Sequence, residues 1–273
     1  MKYLITGGAG FIGFNLVKKL AKSKNNYIFI IDDLSKKTDN TDLLHILRKK
    51  NVKLIKKDLK KISGFLKNYN FDYIYHFAAI LGVQKVIDQP YDTLRENILT
   101  TISVINFAKK QKKLKKICFT STSEVYAYTL KKKLTKYPTP EDTDFLISRD
   151  FNPRSSYLLS KVVGEYLLNY SRLNYVILRP HNIFGPQMGF VHVIPQLTKK
   201  ILWSNKKEVL INNPKHKRTF CSIDFAVRLI LNITHNKKTS KKVFNIGSPQ
   251  GEISIMNLAQ QIKARRSVTI AQQ

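Results

Sequence analysis

Four glycines fall within seven residues, Gly7-Gly8-Ala9-Gly10-Phe11-Ile12-Gly13, directly after the apolar run of residues 2–6. Residues 11–21 then carry apolar side chains at 12, 16, 17 and 20, a helical spacing. The order is strand, glycine turn, helix. Glycines at such a turn let the backbone bend tightly and approach a pyrophosphate, whose charge sits on the unpaired amides opening the helix. Few features constrain a chain as strongly, because this arrangement belongs at the first βα turn of a parallel, doubly wound sheet.

The remainder of the first 180 residues fits that plan. Residues 27–31 (Tyr-Ile-Phe-Ile-Ile) form a buried-type second strand ending in Asp32-Asp33. An acid there, about 20 residues past the glycines, accepts hydrogen bonds from the adenosine ribose, which favours NAD, with Asp32 ahead of Asp33. Lys36 and Lys37 keep NADP open. A third strand at 52–55 leads to Asp58-Leu59, placed to meet an adenine. A fourth, at 71–77, leads into His76-Phe77-Ala78-Ala79, where small residues let a cofactor lie against the backbone, and His76 is assigned no chemistry. Residues 93–110 read as an amphipathic helix with Leu94, Ile98, Ile102, Ile105 and Ala108 on one stripe. A fifth strand at 116–120 runs into Ser121-Thr122-Ser123-Glu124-Val125-Tyr126. Alternating strands and helices give an α/β, Rossmann-type doubly wound parallel sheet.

Residues 127–152 read as a long loop, and a sixth strand covers 175–179. Beyond it come a helix at 191–204 interrupted by Pro195, a strand at 209–211, a helix at 223–232, a strand at 243–246 and a last helix capped by Ser254. The expected division is a dinucleotide-binding domain at 1–180 and a smaller substrate-binding lobe at 181–273, some of whose segments return to the first domain.

The formal charge of +30 invites a nucleic-acid partner, but the excess is lysine scattered through almost every segment. That pattern is a solvated surface, so adhesion to nucleic acid is expected to be weak, unspecific and abolished by salt. Cys118 and Cys221 lie in apolar runs without metal-ligand spacing, which points to packing in a reducing compartment and to no metal. No apolar run reaches membrane-spanning length, and the expected location is the cytoplasm.

One stretch carries chemistry. In Ser155-Ser156-Tyr157-Leu158-Leu159-Ser160-Lys161, Tyr157 and Lys161 stand four residues apart and share a helix face. A phenol is a poor base at neutral pH, yet a nearby ammonium favours phenolate and brings it into working range.

With these segments placed, the chain resembles the extended short-chain dehydrogenase/reductase family, the NAD-dependent nucleotide-sugar epimerases, dehydratases and decarboxylases, over about residues 1–264. The resemblance implies that Gly7, Gly10, Phe11, Ile12, Gly13, Asp32, Asp58, Leu59, Phe77, Ala78, Ala79 and Asn97 line an NAD site, shared by Tyr157 and Lys161. It implies a catalytic set of Thr122, Ser123, Glu124, Tyr157 and Lys161, working through a transient 4-keto sugar. Tyr157 takes the 4-hydroxyl proton, Thr122 bonds the same oxygen, and Lys161 binds the nicotinamide ribose and lowers the Tyr157 pKa. Ser123 stands where 4,6-dehydratases carry an acid, and the Thr-Ser-Glu run is more similar to UDP-glucuronate decarboxylases, although dehydratase-like and epimerase-like relatives share it. Asn182, in Arg179-Pro180-His181-Asn182-Ile183-Phe184-Gly185-Pro186, and Arg218 match residues that meet the substrate's phosphates or sugar. Thr100 stands where the family has glycine after Asn97. The resemblance further implies a homodimer through the helices at 93–110 and 157–173, and a C-terminal stretch that would carry the substrate lobe beyond Gln273. An alternative in a different class is an NAD-binding protein without turnover.

Overall fold

The computed structural model describes residues 1–35, 41–203, 208–263 and 269–272. Lys36 and Lys37 lie outside the described residues. In chain order the elements are β1 (Lys2–Thr6), α1 (Phe11–Leu20), β2 (Tyr27–Ile31), α2 (Thr41–Leu47), β3 (Val52–Ile55), α3 (Ile62–Phe65), β4 (Tyr73–His76), α4 (Val83–Asp88), α5 (Pro90–Lys109) and β5 (Lys116–Thr120). They continue with α6 (Ala127–Lys131), α7 (Ser155–Tyr170), β6 (Tyr175–Pro180), β7 (Ile183–Phe184), α8 (Val193–Leu202), β8 (Glu208–Ile211), β9 (Lys217–Arg218) and β10 (Cys221–Ser222). The last are α9 (Ile223–His235), β11 (Lys242–Ile246), β12 (Ile253–Ser254), α10 (Ile255–Lys263) and β13 (Thr269–Gln272).

Two compact units result, Met1–Pro180 with Val227–Ile246, and His181–Ala226 with Gly247–Gln273. The first holds a seven-stranded sheet in the order β11-β6-β5-β4-β1-β2-β3, every pairing parallel. Its strands are apolar on both faces because helices cover both faces. Tyr3, Leu4, Ile5, Ile30, Ile31, Ile74, Tyr75, Ile117 and Val176 are all buried, each aliphatic contributing about 1.5–3 kcal/mol relative to exposure. Strand order reverses between β1 and β4, which opens a crevice at their carboxyl ends.

Four local expectations are corrected. The stripe drawn along α5 is displaced: Thr93, Asn97, Thr101, Val104, Phe107 and Ala108 are buried with Ile105, while Leu94, Ile98 and Ile102 are half-buried. Polar residues take the inward positions because they hydrogen-bond there, as shown below. Residues 127–152 are not all loop, since α6 opens the segment. Pro195 does not interrupt α8 but sits in its first turn, where a missing N–H costs nothing. Finally, α9 runs on to His235.

The second unit is built from three strand pairs, β7 with β10 and β8 with β13 in parallel and β9 with β12 antiparallel. Leu197, Ile201, Val209, Ile211, Ile255, Leu258 and Ala259 form its core. Ser254 caps α10 by accepting the Asn257 amide at 3.0 Å.

Candidate active site

The glycine turn occupies the crevice where strand order reverses. Gly7 has φ +69°, and a side chain there would meet the Ala78 amide nitrogen at 2.6 Å. A Cβ on Gly13 would lie 2.3 Å from the Gly7 carbonyl oxygen. The turn is therefore packed too closely against the β4 exit and the start of α1 for a side chain at either position, and α1 opens over it with no side-chain cap and no acid in its first turn. The amides of Phe11 and Ile12 start that helix and suit an anionic phosphate. Asp32 stands at the exit of β2 and accepts the Ala9 amide at 3.0 Å and the Leu34 amide at 2.9 Å, so it also braces the turn. Asp58 accepts the Lys60 amide at 2.9 Å beside the buried Leu59.

Beyond β4, the Phe77 and Ala78 amides are held by the carbonyl and hydroxyl of Thr6 at 3.1 and 3.3 Å. Asn97 accepts the Ile80 amide at 2.7 Å and donates to the Ile80 carbonyl at 3.0 Å and the Ser160 hydroxyl at 3.2 Å. It thus fixes the loop through Ala79 to α7. The Thr100 hydroxyl donates to the Glu96 carbonyl at 2.8 Å within its own helix. His76 lies between the Thr6 and Thr101 hydroxyls at 2.8 and 3.2 Å. Burial, with the Lys161 charge adding to it, holds its ring neutral down to about 3, which suits a structural role.

The β5 exit and α7 meet at the chemical corner. Tyr157 and Lys161 share one face of α7, and the ammonium lies 5.7 Å from the centre of the phenol ring. Lys161 is buried, lies 5.0 Å from the Phe119 ring centre and donates to the Thr120 carbonyl at 2.7 Å. Burial lowers its ammonium to about 7, with the Glu165 carboxylate opposing. Thr122 caps the turn Ser123–Tyr126 by accepting the Glu124 amide at 3.2 Å. Glu124 is raised by burial, and Arg154, 3.7 Å from its carboxylate, opposes that shift.

The phenol departs from the expectation drawn from spacing. Burial, reinforced by the Glu124 charge, pushes Tyr157 above its ordinary value, and only the Thr122 side chain pulls the other way. Desolvation is the dominant cause, and the Lys161 ammonium, one helical turn away, is directed to the Thr120 carbonyl. Sequence reasoning also missed Ser121, Glu165 and Arg179, all buried here. An acid eight residues past Tyr157, on the same helical face, was the available signal.

Asn182 and Arg218 belong to the second unit. The Asn182 carbonyl accepts the Cys221 amide at 3.2 Å, and Arg218 lies against His216 and the Lys217 carbonyl, at 3.1 Å from the latter. A cavity of about 580 Å³ in the same unit is lined by Phe184, Phe220, Ile194 and Leu258 among others. No group of three or more His, Cys, Asp or Glu among the described residues could hold a metal ion, and no helix among them is long and apolar enough to cross a membrane.

A parallel sheet with a glycine cradle at its switch point and a Tyr/Lys pair beside it defines a Rossmann-type dinucleotide-binding protein of the extended short-chain dehydrogenase/reductase class. The chain belongs to the NAD dependent epimerase/dehydratase family, whose model matches residues 3–247. It is 32% identical over 266 residues to a UDP-N-acetyl-alpha-D-glucosaminuronate decarboxylase of Bacillus cytotoxicus, covering 95% of this chain and 78% of that protein. It is 31% identical over 275 residues to a dTDP-D-glucose 4,6-dehydratase of Dictyostelium discoideum, covering 96% of this chain but 61% of that protein's length. Among solved structures, a UDP-glucuronic acid 4-epimerase from Bacillus cereus in complex with UDP-glucuronic acid and NAD matches with a TM-score of 0.77 at 25% identity, covering 100% of this chain and 86% of that one.

Proposed function

We propose that this protein is an NAD-dependent enzyme acting on a nucleotide-diphosphate sugar through a transient 4-keto sugar, as a UDP-uronate decarboxylase or 4-epimerase. The observation that carries the reading is the β5 corner, where Thr122 faces Tyr157 and Lys161 stands one helical turn away. Bound NAD supplies the acceptor and later the donor of one hydride. The chain supplies the proton handling. Tyr157 takes the proton of the sugar 4-hydroxyl while Thr122 hydrogen-bonds that oxygen and guides it. Lys161, already directed along the β5 exit, holds the cofactor's ribose beside the pair. The glycine cradle and Asp32 take the pyrophosphate and the adenosine ribose, and Asn97 keeps the loop of Phe77, Ala78 and Ala79 in place against them.

A 4-ketone on a uronate is a β-keto acid, which loses CO2 without needing an acid to expel a 6-hydroxyl. Ser123, where a dehydratase acid would stand, favours that outcome over dehydration, and burial raises the neighbouring Glu124 carboxyl above its ordinary range. Relatives that act on uronates support the same direction. In the second unit, Asn182 and Arg218 are the residues for the sugar and its diphosphate, a task suited to a planar fork of donors.

The test is incubation with NAD and a panel of UDP-, dTDP- and GDP-sugars, with products identified by mass spectrometry. Loss of CO2 or an epimer is expected from a UDP-uronate, and Tyr157→Phe is expected to abolish it while still binding NAD. Tight NAD binding with no turnover of any sugar would sink the enzyme reading in favour of a binding protein. The exposed Tyr91, Leu99, Tyr166 and Tyr170 on α5 and α7 support a homodimer, measurable by light scattering. We assign the protein to the cytoplasm, without a specific nucleic-acid partner.

A further inference from the structure

Two buried charges take no part in the chemistry just described. Glu165 lies one turn beyond Lys161 on α7, Arg179 lies near the end of β6, and they are 5% and 3% exposed. Arg179 Nε donates to Glu165 Oε1 at 3.0 Å and Nη2 donates to Oε2 at 2.7 Å, a two-pronged pair. Arg179 Nη1 donates to the Tyr126 hydroxyl and to the Glu141 carbonyl at 2.8 Å. The guanidinium carbon lies 4.9 Å from the ring centres of both Tyr126 and Phe145. Tyr126 donates on to Asn245 Oδ1 at 3.0 Å, and the Asn245 amide donates to Glu141 Oε1 at 2.9 Å. One cation thus ties α7, β6, β11 and the segment 126–145 together.

Burying such a pair is a poor route to stability alone, since removing two ions from water costs several kcal/mol and apolar replacements often do as well. Its geometric effect is more specific. The Glu165 carboxylate also accepts the Ser121 hydroxyl. Three successive residues of the β5 exit therefore meet three side chains of α7: the Thr120 carbonyl meets Lys161, Ser121 meets Glu165, and Thr122 faces Tyr157. We propose that Glu165, clamped by Arg179, is a positioning residue that sets the register of the β5 exit against α7, and so holds Thr122, Tyr157 and Lys161 in mutual reach.

Arg179 bonds both carboxylate oxygens, while Lys161 donates to the Thr120 carbonyl and makes no ion pair among the described residues. Glu165 still acts on it through space, working against the burial that takes Lys161 to about 7. The titratable and charged groups facing Lys161 are Tyr157 and Glu165 from α7 and neutral His76 from β4; Glu124 lies beyond Tyr157, and Arg179 from β6 acts behind Glu165.

The proposal rests on the proposed function only for turnover, so the test has one arm that needs neither sugar nor cofactor. In the full-length protein without NAD, the side-chain amine of Lys161 is followed by NMR through a pH titration, with Lys161→Arg giving the assignment. Glu165→Gln, which keeps the shape and removes the charge, is expected to move that midpoint down by about half a unit or more. In the second arm, Ser121→Ala, which leaves the ion pair intact, and Arg179→Lys, which keeps charge but not the fork, are expected to lower kcat by about 10-fold with KM for the sugar little changed. An unchanged Lys161 titration in Glu165→Gln would overturn the proposal, as would wild-type kcat in folded Ser121→Ala. Lower melting temperatures with both readouts intact would make the pair a packing element.

Discussion

Gly13→Ala tests the cradle most sharply, because the perturbation is one methyl group. The new Cβ would lie 2.3 Å from the Gly7 carbonyl oxygen, 2.8 Å from Gly8 Cα and 3.0 Å from the Gly7 carbonyl carbon. All three are backbone atoms, so no side chain can rotate away, and α1 must retreat from the turn by about 1 Å to restore ordinary van der Waals separation. Overpacking of this kind costs about 1–3 kcal/mol, against a gain of about 1 kcal/mol for alanine over glycine in a helix. Net destabilisation is thus about 0–2 kcal/mol, and the protein stays folded. The same retreat moves the opening amides of α1 off the pyrophosphate, and losing one charge-assisted hydrogen bond of about 1.5–3 kcal/mol weakens NAD binding by about 10- to 150-fold. Isothermal titration of the cofactor-stripped protein with NAD, beside a thermal melt, reads both quantities. Gly64→Ala is the internal control, since a Cβ there would meet nothing within 4 Å. Unchanged NAD affinity in folded Gly13→Ala would refute the reasoning.

Other outcomes follow from the same geometry. Asp32→Ala removes the acceptor for the Ala9 and Leu34 amides as well as the proposed ribose ligand, so NAD affinity is expected to fall about 10-fold or more; wild-type affinity would remove Asp32 from the cofactor site. His76 has a folded pKa of about 3, below its unfolded value near 6.5, so the unfolded chain binds more protons between them and stability falls as pH drops through that window. Urea melts from pH 7 to 4.5 should show a flatter slope for His76→Gln, and an identical slope would contradict the assignment. Cys118 is buried with its thiol pushed up to about 12, and Cys221 is buried and raised, so both are expected to resist iodoacetamide until the protein unfolds; rapid native labelling would count against this packing.

How much could be read in advance depended on how local the cause was. β1, β2, β3 and β5 matched the apolar runs read from the sequence because parallel strands covered on both faces are largely apolar along their length. The glycine turn was legible for the same reason, since its demand is a backbone property of a few adjacent residues. On α5 the pattern misled: Asn97 and Thr101 face inward because Ile80, Ser160 and His76 wait there, and none of those partners is near in sequence. Arg179 and Glu165 were invisible on similar grounds, as the frame they make spans residues 121 to 245. The Tyr157 and Lys161 pairing was legible in position and not in proton affinity, because helical spacing reports proximity and says nothing of desolvation.

That last distinction bears on how the corner works. Tyr157 is raised, Glu124 is raised and Lys161 is lowered, and burial is the leading cause in each case, moving every group toward its uncharged form. At rest near neutral pH the proton therefore stays on the phenol and Lys161 sits close to its own midpoint. Moving one proton from Tyr157 to Lys161 creates phenolate and ammonium without changing the net charge, so this exchange is penalised less than ionising either group alone. It is still opposed by Glu124 and favoured by Thr122 and, through its hold on the lysine, by Glu165. A base prepared this way is withheld until the local charge balance changes. Burial, more than the helical spacing of the pair, therefore sets its resting protonation.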